Sequence, residues 1–139
     1  MGIIYEKKVI LEKLNSKEFL DIIKKYSIGT VILFGSIGGD EFNDYSDVDI
    51  AILSENKIDL DNILEIELFL EKFLKRGIDV IDLNSNNLDI IMKANILNTG
   101  RIIYSDDNNE RYNKFYNNVE RTFRENENFM YFRRRDLLS

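Results

Sequence analysis

The sequence predicts an α/β (α+β) domain, and three observations carry that expectation. Short apolar runs rich in β-branched residues at 28–34, 46–53 and 78–83 have the length and composition of buried strands. Between them, apolar residues return every three or four positions, which is the spacing of amphipathic helices. Beyond Asp106 the chain is strongly charged yet patterned, and reads as one long C-terminal helix.

Taken in order, residues 3–14 suit a short first helix. Asn15 and Ser16 offer capping residues for a second over 16–26, with Glu18 three after Asn15 as a capping box and Phe19, Leu20, Ile23 and Tyr26 at helical spacing. Ile28 to Phe34 is a buried strand ending at Gly35, followed by a loop with one helical turn after Ser36. The second strand runs from Ser46 to Leu53. From Asp59 to Arg76 the residues Leu60, Ile63, Leu64, Ile66, Leu70, Phe73 and Leu74 mark a helix with a broad buried face, and Gly77 follows as its stop. Residues 78–83 form a third strand, Leu88 to Leu97 a further helix, and Arg101 to Tyr104 a short strand. On the last helix Tyr112, Phe115, Tyr116, Val119 and Phe123 line one face, continuing toward Phe129, Met130 and Phe132, and the stripe reads as core or subunit contact. Arg133, Arg134 and Arg135 suit a solvated helix end.

Composition narrows the chemistry. At 139 residues the chain fits one domain, 1–139, and 44% hydrophobic residues is too apolar for disorder. It contains no Cys, which removes disulfides, structural zinc and thiol catalysis. It contains no His, which removes the usual general base. Catalysis would rest on carboxylates, Lys, Arg, Tyr or a metal. A formal charge of −6 disfavours direct binding to nucleic acid or an anionic membrane and favours a basic partner. No apolar run approaches the roughly 18 residues of a membrane span, and the N-terminus is too charged for a signal peptide, so a cytoplasmic protein with no membrane partner is expected.

The stretch Leu33 to Leu53, LFGSIGGDEFNDYSDVDIAIL, concentrates the candidate chemistry. In a strand residues i and i+2 share a face, so Asp47 and Asp49 project together while Val48, Ile50 and Ile52 turn into a core. Two carboxylates on one face need a counter-charge. Without His or Cys, a metal here would be held by oxygen alone, which favours Mg²⁺ or Mn²⁺ over zinc or copper. On the third strand Asp79 shares a face with Ile81, and its competitor Asp82 points the other way. Gly35 after a strand lets backbone approach a bulky anion, and Ser36 adds a hydroxyl. The plainer alternative is an ordinary turn with Ser36 as a helix cap, a role compatible with phosphate binding.

Gly35-Ser36, ten residues, then Asp47-Val48-Asp49, with Ser46 before and IAIL after, resembles the signature of the DNA polymerase β-type nucleotidyltransferase superfamily. The layout resembles its minimal nucleotidyltransferase (MNT) branch, the antitoxin partner of HEPN-domain ribonuclease toxins. IDVIDLN resembles the third-carboxylate strand, ANILNTGRIIY the segment after it, and the charged helix ending FMYFRRRDLL the family's close. The resemblance implies a nucleotidyltransferase fold, a small mixed β-sheet flanked by helices. It implies that Asp47, Asp49 and Asp79 hold two Mg²⁺ ions, or Mn²⁺, with ATP as substrate and Asp79 also helping to deprotonate the attacking hydroxyl. Gly35 and Ser36 would bind the β- and γ-phosphates. Three clustered carboxylates repel without metal, so a loose or partly protonated site is expected. The family loop often reads Gly-Ser-Arg-Ala-Arg-Gly, whereas Ile37, Gly38, Gly39 and Asp40 stand here instead.

The resemblance implies an Mg-dependent protein adenylyltransferase that moves AMP from ATP to a tyrosine of a HEPN toxin, disabling its ribonuclease site by charge and bulk. The partner is then the toxin, with a hetero-oligomer or homo-oligomer both open. The altered loop supports an alternative, a binding antitoxin with a degenerate nucleotide site. Nucleotidylation of a small molecule is a third reading, for which the chain looks too short to supply a substrate domain.

Overall fold

The strands alternate between two apolar faces, so the sheet needs helices on both sides. The structure, a computed structural model, describes the backbone of residues 2–138 and the side chains of residues 6–125. In chain order it comprises α1 (Gly2–Lys13), α2 (Lys17–Lys25), β1 (Thr30–Phe34), a 3₁₀ turn (Gly35–Gly38), β2 (Val48–Leu53), α3 (Leu60–Leu74), β3 (Ile78–Asp82), α4 (Ile90–Thr99), β4 (Arg101–Ser105) and α5 (Glu110–Leu138). This is the mixed α/β architecture that the sequence predicts. No helix among the described residues is long and apolar enough to cross a membrane.

The sheet order is β3-β2-β1-β4. β1 is antiparallel to both β2 and β4, whereas β2 and β3 run parallel. A parallel pair needs a crossover, and α3 supplies it. The end of β1 and the starts of β2 and β3 therefore meet at one edge of the sheet.

On one face Val31, Leu33, Val48, Ile50, Ile52, Ile78 and Val80 pack against α1, α2 and α3 through residues such as Ile10, Phe19, Ile23, Ile66 and Leu70. On the other, Ile32, Ala51 and Leu53 pack against Ile96 and Leu97 of α4 and Val119 of α5. Tyr112, Phe115 and Tyr116 pack partly buried against that second cluster, so the stripe of α5 is core from Tyr112 to Val119. Phe129, Met130, Phe132 and Arg133, Arg134 and Arg135 lie outside the described side chains.

Several expected boundaries move, each for a local reason. β1 begins at Thr30 instead of Ile28, and α4 begins at Ile90, after Asp89 caps it by accepting from the Met92 N–H at 2.8 Å. β2 begins at Val48 instead of Ser46, because the Ser46 N–H is bonded within its own turn to the Asn43 carbonyl at 3.1 Å. The Val48 N–H reaches across to the Gly77 carbonyl at 2.9 Å. α3 stops at Leu74, before the expected end at Arg76, since Lys75 takes the left-handed conformation with φ 57°. Gly77 is thus not the helix stop.

The capping box of Asn15 and Glu18 does not form. Ser16 is the cap: its Oγ accepts from the Phe19 N–H at 3.3 Å and donates to the Lys13 carbonyl at 2.6 Å. Asn15 turns back to the Leu11 carbonyl. With the cap one residue later, Glu18 falls too early in the helix to reach back to it. Ser16→Ala is expected to cost about 1 kcal/mol in urea unfolding, and Asn15→Ala no more than about 0.5 kcal/mol.

Candidate active site

Strand register brings the candidate residues together. Phe34 pairs with Asp49 across β1 and β2, and Asp49 pairs with Asp79 across β2 and β3. The turn Gly35-Ser36 and two carboxylates are therefore neighbours across three strands. Asp47 stands one residue before β2. Val48, Ile50, Ile78 and Val80 face the α1–α3 layer, so alternation turns Asp49 and Asp79 to the opposite face, beyond the apolar cover of α4 and α5. Asp47 and Asp79 are exposed, and Asp49 is half-buried.

Two glycines make room for these carboxylates. Gly35 has φ 84°, a conformation that disfavours any side chain, and a Cβ there would overlap Asp49 Oδ2. A Cβ on Gly77 would overlap Asp47 Oδ1. Gly77 sits between α3 and β3, where its carbonyl also holds the Val48 N–H. Its role is close approach to Asp47.

Burial raises the Asp49 carboxyl above its ordinary value, and the negative charges of Asp79 and then Asp47 add to the shift. Of the three carboxyls it is thus Asp49, the most enclosed, whose proton is harder to lose. Among the described residues no three acidic side chains stand close enough to grip one ion as they are oriented. Their chemistry nonetheless fits a hard divalent cation: the donors are all carboxylate oxygens, drawn from adjacent strand ends and mutually repelling.

Asp82 is engaged elsewhere. It is buried, accepting from the Ile58 N–H at 2.8 Å through Oδ2 and from the Asn84 N–H at 3.0 Å through Oδ1. Ser36 lies inside the 3₁₀ turn and does not cap it, since Phe34 holds the cap position. Ile37 is buried, so it anchors the turn to the core. A cavity of about 560 Å³ opens at the opposite edge of the sheet, lined by Lys24, Tyr26, Ser54, Lys57, Tyr104 and Arg111 among others. It includes none of the five candidate residues, and the convergence of acids marks the site better than cavity size.

Sequence reasoning missed the supports of the loop between turn and carboxylates. Lys7 of α1 donates to the Gly39 carbonyl at 2.8 Å and lies over the ring of Phe42, which is itself buried. Arg76 donates to the Asn43 and Ser46 carbonyls. Nothing in local sequence could signal these contacts, which join residues 30 or more positions apart.

Because the folded Asp49 is harder to ionise, it detracts from stability above its raised value. Stability recovers as pH falls from there toward the ordinary carboxylate range, and is lost as pH rises through that window. Asp49→Asn should therefore raise the melting temperature at pH 7 by about 2 °C, a small gain because solvent screens the group. The gain should vanish below the window, as followed by thermal melts across pH. Gly77→Ala should leave the melting temperature within about 2 °C, since only a mobile carboxylate must yield, yet weaken Mn²⁺ binding and activity roughly ten- to a hundredfold. Gly35→Ala should lose about 1–2 kcal/mol of stability in addition, measurable by urea unfolding.

Comparison with known proteins bears on the fold and the family. The chain is 32% identical over 94 residues to MJ0126 of Methanocaldococcus jannaschii, a protein assigned by name to the protein adenylyltransferases; the match covers 68% of this chain and 92% of that protein. Among solved structures, a toxin-antitoxin complex with AMP-PNP contains a chain that superposes with TM-score 0.71 at 17% identity, covering 91% of this chain and all of that one. A complex of a tri-AMPylated Shewanella oneidensis HEPN toxin with its MNT antitoxin contains another, with TM-score 0.67 at 16% identity, covering 96% of this chain and 99% of that one. These structures share the fold. The family profile "Polymerase beta, Nucleotidyltransferase" matches residues 17–109, which take in α2 through β4 and every candidate site residue, and the chain belongs to that nucleotidyltransferase family.

Proposed function

We propose that this chain is a protein adenylyltransferase and the antitoxin of a HEPN toxin, moving AMP from ATP to a tyrosine hydroxyl of the toxin. The observation that carries the reading is the meeting of Gly35 and Ser36 with Asp47, Asp49 and Asp79 at one sheet edge through the pairs Phe34–Asp49 and Asp49–Asp79. The name of the M. jannaschii relative supports the reaction, and the HEPN complexes support the partner.

In this reading the Gly35 and Ser36 backbone and the Ser36 hydroxyl hold the β- and γ-phosphates of ATP. Asp47, Asp49 and Asp79 would hold Mg²⁺ or Mn²⁺, two ions in all, which when bound supply charge neutralisation for the attacking and leaving oxygens. Asp79, the exposed acid on β3, takes the proton of the tyrosine hydroxyl. The phenolic oxygen forms a bond to the α-phosphorus as the bond from that phosphorus to the β-phosphate bridging oxygen breaks. Pyrophosphate leaves and an adenylyl group remains on the toxin. The added phosphodiester brings negative charge and bulk beside the ribonuclease site.

One feature favours a second reading. Ile37, Gly38, Gly39 and Asp40 bring no cation to the turn, which suits a binding antitoxin that masks its toxin without catalysis. The two readings separate on one variant. With the HEPN protein of the adjacent gene, Mg²⁺ and labelled ATP, the catalytic reading expects label on the toxin and a loss of at least about a hundredfold for Asp47→Asn. Mn²⁺ should raise the melting temperature of the wild type more than that of Asp47→Asn. Absence of label, with Asp47→Asn neutralising the toxin as well as wild type, would establish the binding reading instead.

A further inference from the structure

We infer that Arg76 is a positioning residue for Asp47, an inference that rests on the catalytic reading of Asp47. The left-handed turn at Lys75 ends α3 and directs Arg76 beneath the loop that leads into β2. There its side chain is only 9% exposed. Nη1 donates to the Ser46 carbonyl at 2.6 Å and to the Asn43 carbonyl at 3.0 Å. Nη2 donates to Glu6 Oε2 at 2.8 Å, and the guanidinium lies over the Phe42 ring at 4.6 Å from its centroid. No other side chain in the described structure is shown gripping that loop at two carbonyls.

What Arg76 grips is already a closed turn. The Asn43 N–H donates to Ser46 Oγ, the Tyr45 N–H to Asn43 Oδ1, and the Ser46 N–H to the Asn43 carbonyl. Such a turn is a rigid unit whose orientation is still free to swing about its ends. The fork of a guanidinium, with two donors on one side and a third fixed by Glu6, removes that freedom in a way a lysine cannot.

The next residue after the gripped Ser46 is Asp47, and the next after Arg76 is Gly77. Segment 76–77 therefore meets segment 46–48 at three successive points: Arg76 on the Ser46 carbonyl, Gly77 against the Asp47 carboxylate, and the Gly77 carbonyl on the Val48 N–H. Asp47 lies outside the β2 ladder, so strand pairing alone does not fix it. Arg76 supplies the missing constraint, and it does so without touching substrate.

The test compares wild type, Arg76→Lys, Arg76→Ala and Asp47→Asn by three readouts: Mn²⁺ binding by electron paramagnetic resonance, amide exchange over residues 43–48, and adenylyl transfer. Arg76→Ala should weaken Mn²⁺ binding and lower kcat roughly ten- to a hundredfold, with KM for ATP changing by less than about threefold, as expected of an outer support for a metal-binding carboxylate. Exchange over 43–48 should speed up while the rest of the sheet stays protected. Arg76→Lys, which keeps the charge but loses the fork, should fall between Arg76→Ala and wild type, and it carries the test if Arg76→Ala does not fold. Arg76→Lys and Arg76→Ala with wild-type Mn²⁺ binding and kcat, beside an inert Asp47→Asn, would overturn the inference alone. Wild-type Mn²⁺ binding and transfer by Asp47→Asn would overturn the reading beneath it, and the inference with it.

Discussion

The parallel pairing of β2 with β3 is the constraint on which the site depends. It sets Asp49 beside Asp79, two acids on strands whose backbones lie about 4.8 Å apart. With solvent on one side to screen them, repulsion between two such neighbouring carboxylates is on the order of 1 kcal/mol. The opposing term is larger. Val48, Ile50, Ile52, Ile78 and Val80 are all buried on the other face of the same two strands, and each such side chain contributes roughly 1.5–3 kcal/mol. A slip of β3 by one residue would carry Ile78 and Val80 to the wrong face. The apolar alternation therefore holds the acids together against their own repulsion, and the raised affinity of Asp49 for a proton reflects first its burial there and then the charges of Asp79 and Asp47.

This explains which parts of the site are legible in the sequence. Asp47 and Asp49 can be found from period-two alternation next to a glycine turn, because a strand converts sequence spacing directly into facing. Asp79 follows from the same alternation, and so does the dismissal of Asp82, whose burial and two backbone partners fit its opposite direction. The sheet's two covered faces were readable from near-continuous apolar runs, and the α5 stripe from its helical spacing. Direction along one element is a local property, and local properties survive in sequence.

What was not legible depends on where separate elements end up. Gly77 looks like a helix stop, since glycine after an apolar period usually is one. It became a contact for Asp47 only because Lys75 ends α3 first, in a conformation that a lysine seldom takes. Asn15 and Ser16 are equivalent candidates by composition, and one hydrogen bond to Phe19 decides between them. Arg76 and Lys7 reach the loop from α3's end and from α1, so their roles require the crossover and the helix layer to be in place before they can be seen.

The loop from Ile37 to Phe42 shows how structure and charge have traded places. Its two large apolar residues, Ile37 and Phe42, are buried, and Lys7 fixes Gly39 between them. Where the resembling loops carry arginine, this one is anchored to the core, so it is well held but brings no positive charge to the turn, and Asp40 adds a negative one. Among the described residues the cations that touch it, Lys7 and Arg76, have their donors on backbone carbonyls, with Arg76 also paired to Glu6. In the proposed catalytic reading, a triphosphate at Gly35 and Ser36 would meet three carboxylates and a chain of formal charge −6 with no cation from this loop. In that reading neutralisation would fall to divalent metal, to the partner protein, or to Lys or Arg from elsewhere in the chain. A catalyst built this way depends on metal more steeply than one whose loop bears arginines, whereas a masking antitoxin has no such dependence. The apolar anchoring of a loop without cations thus supplies the property, dependence on metal, by which the two readings are told apart.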